Sequence, residues 1–400
     1  MGAPRRVNAR SNVEQGVTFD RDNPRVENPL VIHHPRTANR ANGGRTPLSQ
    51  MAVRQHKTYP RPQACVGNTL LAHSRMKPIR IAVFLIVAVL GHQASRAQNP
   101  LDLGVNLRTA DPSAHVWPDG RLYVYTSHDE ECQEDFHMKD WYAFSTSDLV
   151  RWVSHGAVLT VKDLKWADDY AWAPDAAYKN GKYYLIFPAG TGVKDRQNPS
   201  WSTKWMGIGI AESDSPAGPF KDMIGAPLWR TPYANDPCLF IDDDGRAYLY
   251  FHGAGADYRV IELADDLRST RGTFYKMDMG GYEPKMEGPW VFKRNRIYYF
   301  TMPEGNRVLV YYTSESPRGP WTYKGVFMDP ENGNNHHSIV EYQGQWILFY
   351  HLWMDVPGVA CRKRQRHVAA EYLRFSEDGS IQKVSRSKKG VSDFAQKTLR

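Results

Sequence analysis

The chain has 400 residues, a formal net charge of +8 and 12% aromatic residues. The charge is uneven, because residues 1–97 carry 15 Lys and Arg against 4 Asp and Glu, which leaves residues 98–400 with a net charge of −3. The basic surplus that would favour a nucleic-acid partner therefore belongs to the N-terminal quarter, and residues 98–400 are not predicted to bind nucleic acid.

The N-terminal quarter is predicted to lie outside the folded domain. Residues 1–75 are rich in Arg, Asn, Pro and Gly without a sustained period of 2 or 3.6, which indicates disorder. We interpret them as an extension produced by an upstream start, with translation beginning at Met76; the alternative is a genuine basic arm that binds nucleic acid or an anionic surface.

Residues 76–97 are typical of a secretory signal peptide. A basic start precedes a short apolar run, Ile81 to Leu90, and small residues follow at the cleavage positions. The apolar run is too short to span a bilayer as a helix. We therefore expect a secreted or periplasmic protein that begins at Gln98 and has no membrane span after processing.

Cysteine usage adds little to this picture. Three cysteines follow the signal segment, Cys132, Cys238 and Cys361, and none has CxxC spacing. An odd number excludes complete pairing within the chain. A single disulfide is the alternative, and three free or buried thiols are the favoured interpretation.

Residues 98–400 contain one hairpin pattern five times. The clearest copy is Asn235–Phe251, where an Asp-Gly turn separates two apolar runs, which is a strong hairpin signal. The other copies lie at residues 110–127, 173–190, 286–305 and 336–353. A further strand pair follows each of the first four copies, and residues 369–381 follow the fifth, so the chain is predicted to be all-β.

The spacing of these hairpins favours a five-bladed β-propeller. Their turns lie at Gly120, Gly181, Gly245, Asn295 and Gly344, at intervals of 61, 64, 50 and 49 residues. About four strands in about 50 residues is the size of a propeller blade. A β-sandwich is the alternative, but it does not require equal spacing of a repeated hairpin.

An ionisable residue precedes every turn by six to nine positions. These residues are Asp111, Asp175, Asp236, Glu287 and His336. The inner strands of a propeller line its central channel, so equivalent residues are expected to converge at one mouth of that channel. Glycoside hydrolysis needs two carboxyl groups of different pKa, an acid for the leaving oxygen and a base for water.

The motifs ADPSA (110–114), WAPDAAYKNGKYYLIF (172–187), NDPCLFIDDDGRAYLYF (235–251), MEGPWVFKRNRIYYF (286–300) and NHHSIVEYQGQWILFYH (335–351) resemble those of glycoside hydrolase family 43. The resemblance implies a five-bladed propeller that hydrolyses arabinosyl, xylosyl or galactosyl linkages of plant polysaccharides with inversion. It implies Asp111 as general base and Glu287 as general acid, with Asp175 tuning the pKa of the acid. Asp236 is expected to bind substrate or to order water.

The same resemblance implies an ion in the channel. His336 matches the axial histidine of the family, which commonly lies near calcium or another ion, and the expected cofactor is a structural calcium. Asn335 stands where the family often has Gly, and His337 offers a second imidazole. Arg366 resembles a late arginine that reaches back to the site, where it would bond a carboxylate or a sugar hydroxyl.

An oligosaccharide or polysaccharide substrate also needs aromatic faces and polar contacts. Stacking residues are expected among Trp117, Phe136, Trp172 and Trp290, with Trp172 favoured because it lies three residues before Asp175. The polar segment 128–141 is predicted to form a loop over the pocket and to favour exo-action, and its His128 and Asp129 would bond substrate hydroxyls.

Two other functions fit part of the pattern. In invertase-like fructosidases an Asn-Asp-Pro motif belongs to the first blade, whereas Asn235-Asp236-Pro237 belongs to the third. A non-catalytic carbohydrate-binding propeller would need the fold and the aromatic residues, but not three carboxylates in phase.

Overall fold

The structure, a computed structural model, describes ten stretches of the chain: residues 99–104, 107–130, 136–191, 205–232, 234–253, 257–281, 287–305, 307–330, 335–354 and 365–394. All of them belong to one compact unit, residues 87–400. The predictions for residues 1–97, Cys132 and Cys361 fall outside the described residues. Cys238 is a buried free thiol.

The described strands form five antiparallel sheets, and the predicted five-bladed β-propeller is confirmed. Blades 1 and 2 contain β1 (Thr109–Val116), β2 (Leu122–His128), β3 (Asp140–Thr146), β4 (Val153–Thr160), β5 (Asp175–Lys179), β6 (Lys182–Gly190), β7 (Trp205–Ser213), β8 (Lys221–Asp222) and β9 (Trp229–Pro232). A short 3-10 helix, Val161–Asp163, follows blade 1. Both β8 and β9 pair with β7.

The remaining blades contain β10 (Asn235–Ile241), β11 (Ala247–Gly253), β12 (Asp257–Leu263), β13 (Thr270–Lys276), β14 (Trp290–Arg294), β15 (Ile297–Pro303), β16 (Leu309–Ser314), β17 (Thr322–Met328), β18 (His337–Tyr342), β19 (Gln345–Trp353) and β20 (Arg366–Leu373). Blades 3, 4 and 5 consist of β10–β13, β14–β17 and β18–β20 in sequence order. Five separate sheets exclude the β-sandwich.

The turns that set the predicted repeat join the first two strands of each blade. All five turn residues have positive φ: Gly120 (73°), Gly181 (79°), Gly245 (81°), Asn295 (49°) and Gly344 (74°). Glycine adopts this conformation without the steric cost of a Cβ atom, and asparagine tolerates it. The turn chemistry therefore fixes the register that points alternate residues of each inner strand into the channel.

Apolar side chains pack between neighbouring blades. Leu185 and Phe187 of blade 2 share a cluster with Trp141 of blade 1, and the opposite face of blade 2 shares another with Leu249 of blade 3. Each blade thus buries both faces, which holds the inner strands at fixed positions around the axis.

Blade 5 has three described strands, and an N-terminal segment lies beside its outer strand. The Leu101 amide donates to the carbonyl of Val368 at 2.8 Å. The side chain of Asn99 accepts from the Ala370 amide at 2.9 Å and donates to the Ala370 carbonyl at 3.1 Å. These bonds occupy the outer edge of β20. In the described part of the chain, no helix is long and apolar enough to cross a membrane.

Candidate active site

The inner strands of all five blades contribute to one small cavity. Four blades provide an X-Pro pair and the fifth provides two histidines: Asp111-Pro112, Ala173-Pro174, Asp236-Pro237, Gly288-Pro289 and His336-His337. The cavity measures about 20 Å³, which is room for about one water molecule. Charged side chains from distant parts of the sequence therefore meet on the propeller axis.

Asp111 and Asp236 occupy equivalent β-bulges. The register of β1 against β2 shifts around Asp111, and that of β10 against β11 shifts around Asp236. Both residues have positive φ, 52° and 47°, which is uncommon outside glycine and occurs at functional sites. A bulge changes the direction of a side chain. Both carboxylates lie against the central imidazole of His336.

Asp111 is buried and surrounded by donors. Its Oδ1 atom lies 2.8 Å from Arg366 Nη1 and 3.0 Å from His336 Nδ1, and its Oδ2 atom accepts from the Ser127 hydroxyl at 2.5 Å. Burial opposes the charge, but Arg366 and His336 outweigh it and hold the pKa of Asp111 well below its usual value. Asp111 is therefore an ionised carboxylate at neutral pH.

Arg366 links Asp111 to a second buried carboxylate, Asp129. Its Nη2 atom donates to Asp129 Oδ1 at 2.7 Å and its Nε atom to Oδ2 at 3.0 Å. The guanidinium carbon lies 5.1 Å from the centre of the Phe136 ring and 5.7 Å from that of Trp353. Although burial opposes the charge, the two carboxylates raise the pKa of Arg366, so Arg366 stays charged.

His336 lies between three carboxylates. Its Nε2 atom is 3.4 Å from Asp236 Oδ2 and 3.8 Å from Glu287 Oε1, on the other side of the ring from Asp111. Burial lowers the pKa of an imidazole, but Asp236 and Asp111 overcome that effect and raise the pKa of His336 well above its usual value. The ring is therefore an imidazolium at neutral pH.

His337 has the opposite character. Its Nε2 atom is 2.7 Å from the Thr301 hydroxyl in blade 4. Burial, with the neighbouring His336 charge, lowers its pKa to about 3. Of the two imidazoles that the sequence offers, His336 is the one among the carboxylates.

Asp236 and Glu287 form a pair with unequal access to solvent. The side chain of Asp236 is 4% exposed and that of Glu287 is 22% exposed. Burial is the main cause that raises the pKa of Asp236 well above its usual value, and the nearby Glu287 and Asp111 add to it. The side-chain amide of Asn235 donates to Glu287 Oε2 at 3.1 Å. Glu287 is therefore the more accessible member of the pair.

Asp175 lies one level deeper on the axis. Aligned on the X-Pro pairs, Ala173 takes the place of Asp111 and Asp236, and Asp175 follows two residues later on the same side of the inner strand. Its oxygens accept from Ser113 at 2.7 Å and from the Leu239 amide at 2.6 Å. The position beside Glu287 that was expected for Asp175 belongs to Asp236.

His128 points away from the cluster. Its predecessor Ser127 bonds Asp111, and successive side chains of a strand face opposite sides. His128 Nδ1 instead lies 3.0 Å from Asp140 Oδ1. His128 therefore faces the opposite side of β2 from Asp111, and its contact with a sugar hydroxyl stays a prediction. The next residue, Asp129, holds Arg366.

The expected stacking residues take different places. The Trp172 indole donates to the Phe136 carbonyl at 2.8 Å, and the Phe136 ring lies against Arg366. Trp117 lines a separate cavity of about 430 Å³ together with residues from the far ends of the inner strands, among them Lys293 and Glu341. Trp353, which sequence reasoning missed, lies beside Arg366.

Asp236, Glu287 and His336 also form the one three-residue group, among the described residues, that could hold a metal ion, with ligand atoms within 4.8 Å of one another. Calcium takes 6–8 oxygen ligands, but this group offers two carboxylates and one imidazole. The group does not fit calcium as a direct ligand set.

Comparisons with known proteins agree with this geometry. Residues 98–381 match Glycosyl hydrolases family 43. The chain belongs to this family. It is 35% identical to Xylosidase/arabinosidase 43A of Humicola insolens over 69% of its own length and 96% of that protein.

Solved structures of family 43 enzymes share the fold. A β-xylosidase/α-arabinofuranosidase from a compost microbial metagenome, in complex with xylotriose and in a calcium-free form, is 33% identical, covers 73% of this chain and 98% of its own, and has a TM-score of 0.62. A family 43 enzyme of Xanthomonas citri complexed with xylotriose is 31% identical, covers 74% and 95%, and has a TM-score of 0.62. The chain is therefore a glycoside hydrolase.

Gly288→Ala should disable the site through His336. A Cβ atom at residue 288 would lie 2.8 Å from His336 Cδ2 and 3.1 Å from Nε2, so the imidazole must move away from the carboxylates. We expect hydrolysis of an aryl glycoside to fall by roughly 100-fold, the size expected for a 1 Å displacement in an active site. Steady-state kinetics, with thermal unfolding in parallel, measures this effect.

Gly344→Ala is the matched control. Gly344 has a similar φ of 74°, but a Cβ atom there meets nothing within 4 Å. The control carries the same backbone strain without the contact with His336. Equal loss of activity in both variants would contradict the explanation.

Proposed function

We propose that this enzyme removes terminal α-L-arabinofuranosyl or β-D-xylosyl groups from plant oligosaccharides and polysaccharides, with inversion at the anomeric carbon. The arrangement of His336 between a buried, ionised Asp111 and a more exposed Glu287 carries the proposal. The names of the relatives, a xylosidase/arabinosidase and a β-xylosidase/α-arabinofuranosidase, support this choice of sugars.

Asp111 acts as the general base. Its low pKa keeps it ionised, and Arg366 and Ser127 fix the orientation of its two oxygens. A water molecule beside the free edge of this carboxylate loses its proton to Asp111 as it attacks the anomeric carbon. The buried Arg366 also keeps Asp111 from rotating away from the axis.

Glu287 acts as the general acid, with Asp236 as its partner. Two neighbouring carboxyl groups resist simultaneous ionisation, so the pair retains a proton that belongs to both groups. Glu287 is the more exposed member and donates this proton to the leaving oxygen. The tuning role that the family resemblance implied for Asp175 is therefore assigned to Asp236.

The spacing supports inversion. Inverting glycosidases separate their two carboxyl groups by about 6.5–9.5 Å, whereas retaining enzymes use about 5–5.5 Å. Asp111 is 3.0 Å from one nitrogen of His336, and Glu287 is 3.8 Å from the other. An imidazole ring between the two carboxylates fits the wider separation, which leaves room for water beneath the sugar.

We leave calcium out of this mechanism. The structural calcium implied by the family resemblance stays a prediction, since the described donors near His336 do not form its oxygen shell. A calcium ion bound near the axis would supply positive charge to the carboxylates. In the residues described, Arg366 and His336 already provide such charge to Asp111.

We also propose that residues 98–400 form the catalytic domain and reach the periplasm or the exterior after removal of residues 76–97. The family match, which begins at residue 98, supports this boundary. N-terminal sequencing of the exported protein should find Gln98. A terminus within residues 1–75 would contradict the proposal.

Substitution of the two catalytic carboxyl groups should have different effects on different substrates. We expect Glu287→Ala to slow xylo-oligosaccharide or arabino-oligosaccharide hydrolysis by roughly 100- to 10,000-fold, the contribution of a general acid. It should slow a dinitrophenyl glycoside far less, because that leaving group needs no proton. Asp111→Ala should slow both substrates.

The control for these variants is Glu341→Ala, which removes an exposed carboxylate from the other end of the channel. NMR of the first product should show the inverted anomer. A retained anomer, or equal sensitivity of Glu287→Ala to both leaving groups, would contradict the assigned roles. The sugar with the highest kcat/KM among nitrophenyl arabinofuranoside, xyloside and galactoside identifies the substrate.

Arg366→Lys should narrow the range of pH in which the enzyme works. Lysine keeps the charge but cannot hold Asp111 and Asp129 with one planar fork, so the pKa of Asp111 should rise from its depressed value. Because the base must be ionised, the acidic limb of kcat/KM should move to higher pH. The control Arg318→Lys changes an arginine bound to Glu262 on the surface. If the acidic limb of kcat/KM does not move in Arg366→Lys, the assignment of Asp111 as general base is contradicted.

A further inference from the structure

The inner strands are tied to one another by hydrogen bonds at the floor of the small catalytic cavity, whose lining includes Ser113, Asp175 and Trp290. The bonds join neighbouring blades at equivalent positions: Ala114 amide to Ser338 hydroxyl at 3.1 Å, Ser113 hydroxyl to Asp175 at 2.7 Å, Leu239 amide to Asp175 at 2.6 Å, Val291 amide to Cys238 sulfur at 3.3 Å, and Trp290 indole to Ile339 carbonyl at 3.0 Å. We call these five contacts the axial ring. They connect all five blades in a closed circle.

Asp175 is the only carboxylate among the side chains that form the axial ring, and it takes part in two of the five contacts. Its Oδ1 atom lies 2.7 Å from Ser113 Oγ and 2.8 Å from His115 Nε2, both in blade 1. Its Oδ2 atom accepts from the Leu239 amide of blade 3. The side chain is 2% exposed. The buried carboxylate of Asp175 in blade 2 thus bonds to blade 1 on one side and to blade 3 on the other.

The partners of Asp175 stand where the two catalytic bulges end. Ser113 is the residue at which β1 resumes regular pairing after Asp111, and Leu239 follows Cys238, where β10 resumes pairing after Asp236. A bulge leaves its residues outside the ladder of strand hydrogen bonds. The contacts with Asp175 therefore supply cross-blade support at the two places where the pairing within the blade is interrupted.

We propose that Asp175 is a positioning residue that fixes the bulges of Asp111 and Asp236, and through them the base and the partner of the acid. This inference rests on the proposed function of those residues. Asp175 takes no part in proton transfer to substrate. Its two oxygens accept from donors of two blades, and the separation of Asp111 from Asp236 depends on both bonds.

Asp175→Asn is the direct test. The amide is nearly the same size, but its nitrogen is a donor, and in either orientation it faces a backbone N–H from which Asp175 now accepts, that of Ala176 at Oδ1 or that of Leu239 at Oδ2. One bulge therefore loses its support. We expect kcat on an aryl glycoside to fall by roughly 10- to 100-fold, as for a displacement of about 1 Å, with KM changed by less than about threefold.

Asp148→Asn provides the matched control for stability. Asp148 accepts from the amides of Val150 and Arg151 at 3.0 and 2.8 Å through Oδ1 and from Arg151 Nε at 2.9 Å through Oδ2, in a turn of blade 1. In Asp148→Asn the new amide nitrogen therefore also faces a donor, but away from the axis. We expect its kcat to equal that of the wild type even if its melting temperature falls as much as that of Asp175→Asn. Equal kcat in Asp175→Asn would overturn the positioning role.

Ser113→Ala keeps the proposal testable if Asp175→Asn does not fold. It removes one donor to Asp175 and leaves the carboxylate in place. We expect a smaller fall in kcat, with KM again little changed. A folded Ser113→Ala variant with the kcat of the wild type would overturn the proposal, since the support of the first bulge would then be unimportant for catalysis.

The outcomes separate this inference from the proposed function. If the wild type hydrolyses none of the arabinoside, xyloside and galactoside substrates, or if Asp111→Ala remains active, the proposed function fails and the positioning role fails with it. If the wild type is active, Asp111→Ala is not, and Asp175→Asn keeps its kcat, only the positioning role fails. If the wild type is active, Asp111→Ala is not, and kcat falls in Asp175→Asn and Ser113→Ala but not in Asp148→Asn, both are supported.

Discussion

The ion pair between Arg366 and Asp111 is the contact on which the rest of the site depends. It joins the first strand of the propeller to the last one, since Asp111 lies on β1 and Arg366 begins β20. Burying either charge alone would cost several kcal/mol. The pair is therefore a condition of closing the propeller, and closure in turn holds Asp111 at the axis.

Backbone strain and side-chain chemistry support each other in this arrangement. The positive φ of Asp111 and Asp236 is an unfavourable backbone conformation, and only surrounding contacts can maintain it. Those contacts are the charges above them, Arg366 and His336, and the axial ring below them. A site built this way places carboxylates from separate blades within reach of one imidazole, which a regular strand geometry would not do.

The sequence allowed the fold to be predicted because its turns are chemically explicit. Asp-Gly, Asn-Gly and Gln-Gly turns between apolar runs mark four of the hairpins and Asn295 marks the other, and the spacing of these turns indicates a propeller. The convergence of Asp111, Asp236 and His336 followed from the repeat. Asp175 lines the same cavity but lies two residues further along its strand than Asp111 and Asp236 do, as its shorter distance of six residues to the turn indicates, and the prolines at 174 and 237 show this phase in the sequence.

Other parts of the site were beyond sequence reasoning for physical reasons. Whether Ser127 or His128 faces Asp111 depends on the register of β2, and a shift of one residue exchanges the two faces. Trp353 and His351 lie on β19, whose side chains alternate between the axis and the blade interface. Aromatic and aliphatic residues occupy both faces of β19, so its sequence does not show which face reaches Arg366.

The charges around the axis suggest how the site stabilises its transition state. Asp111 and Asp129 are balanced by Arg366 and the protonated His336. If the pair of Asp236 and Glu287 retains one proton, as proposed above, it keeps one negative charge, and the cluster as a whole carries about one net negative charge. Glycoside hydrolysis passes through an oxocarbenium-like state with positive charge on the sugar. Because the dipoles and charges are already oriented in a buried site, this excess negative charge stabilises the transition state more than the neutral substrate.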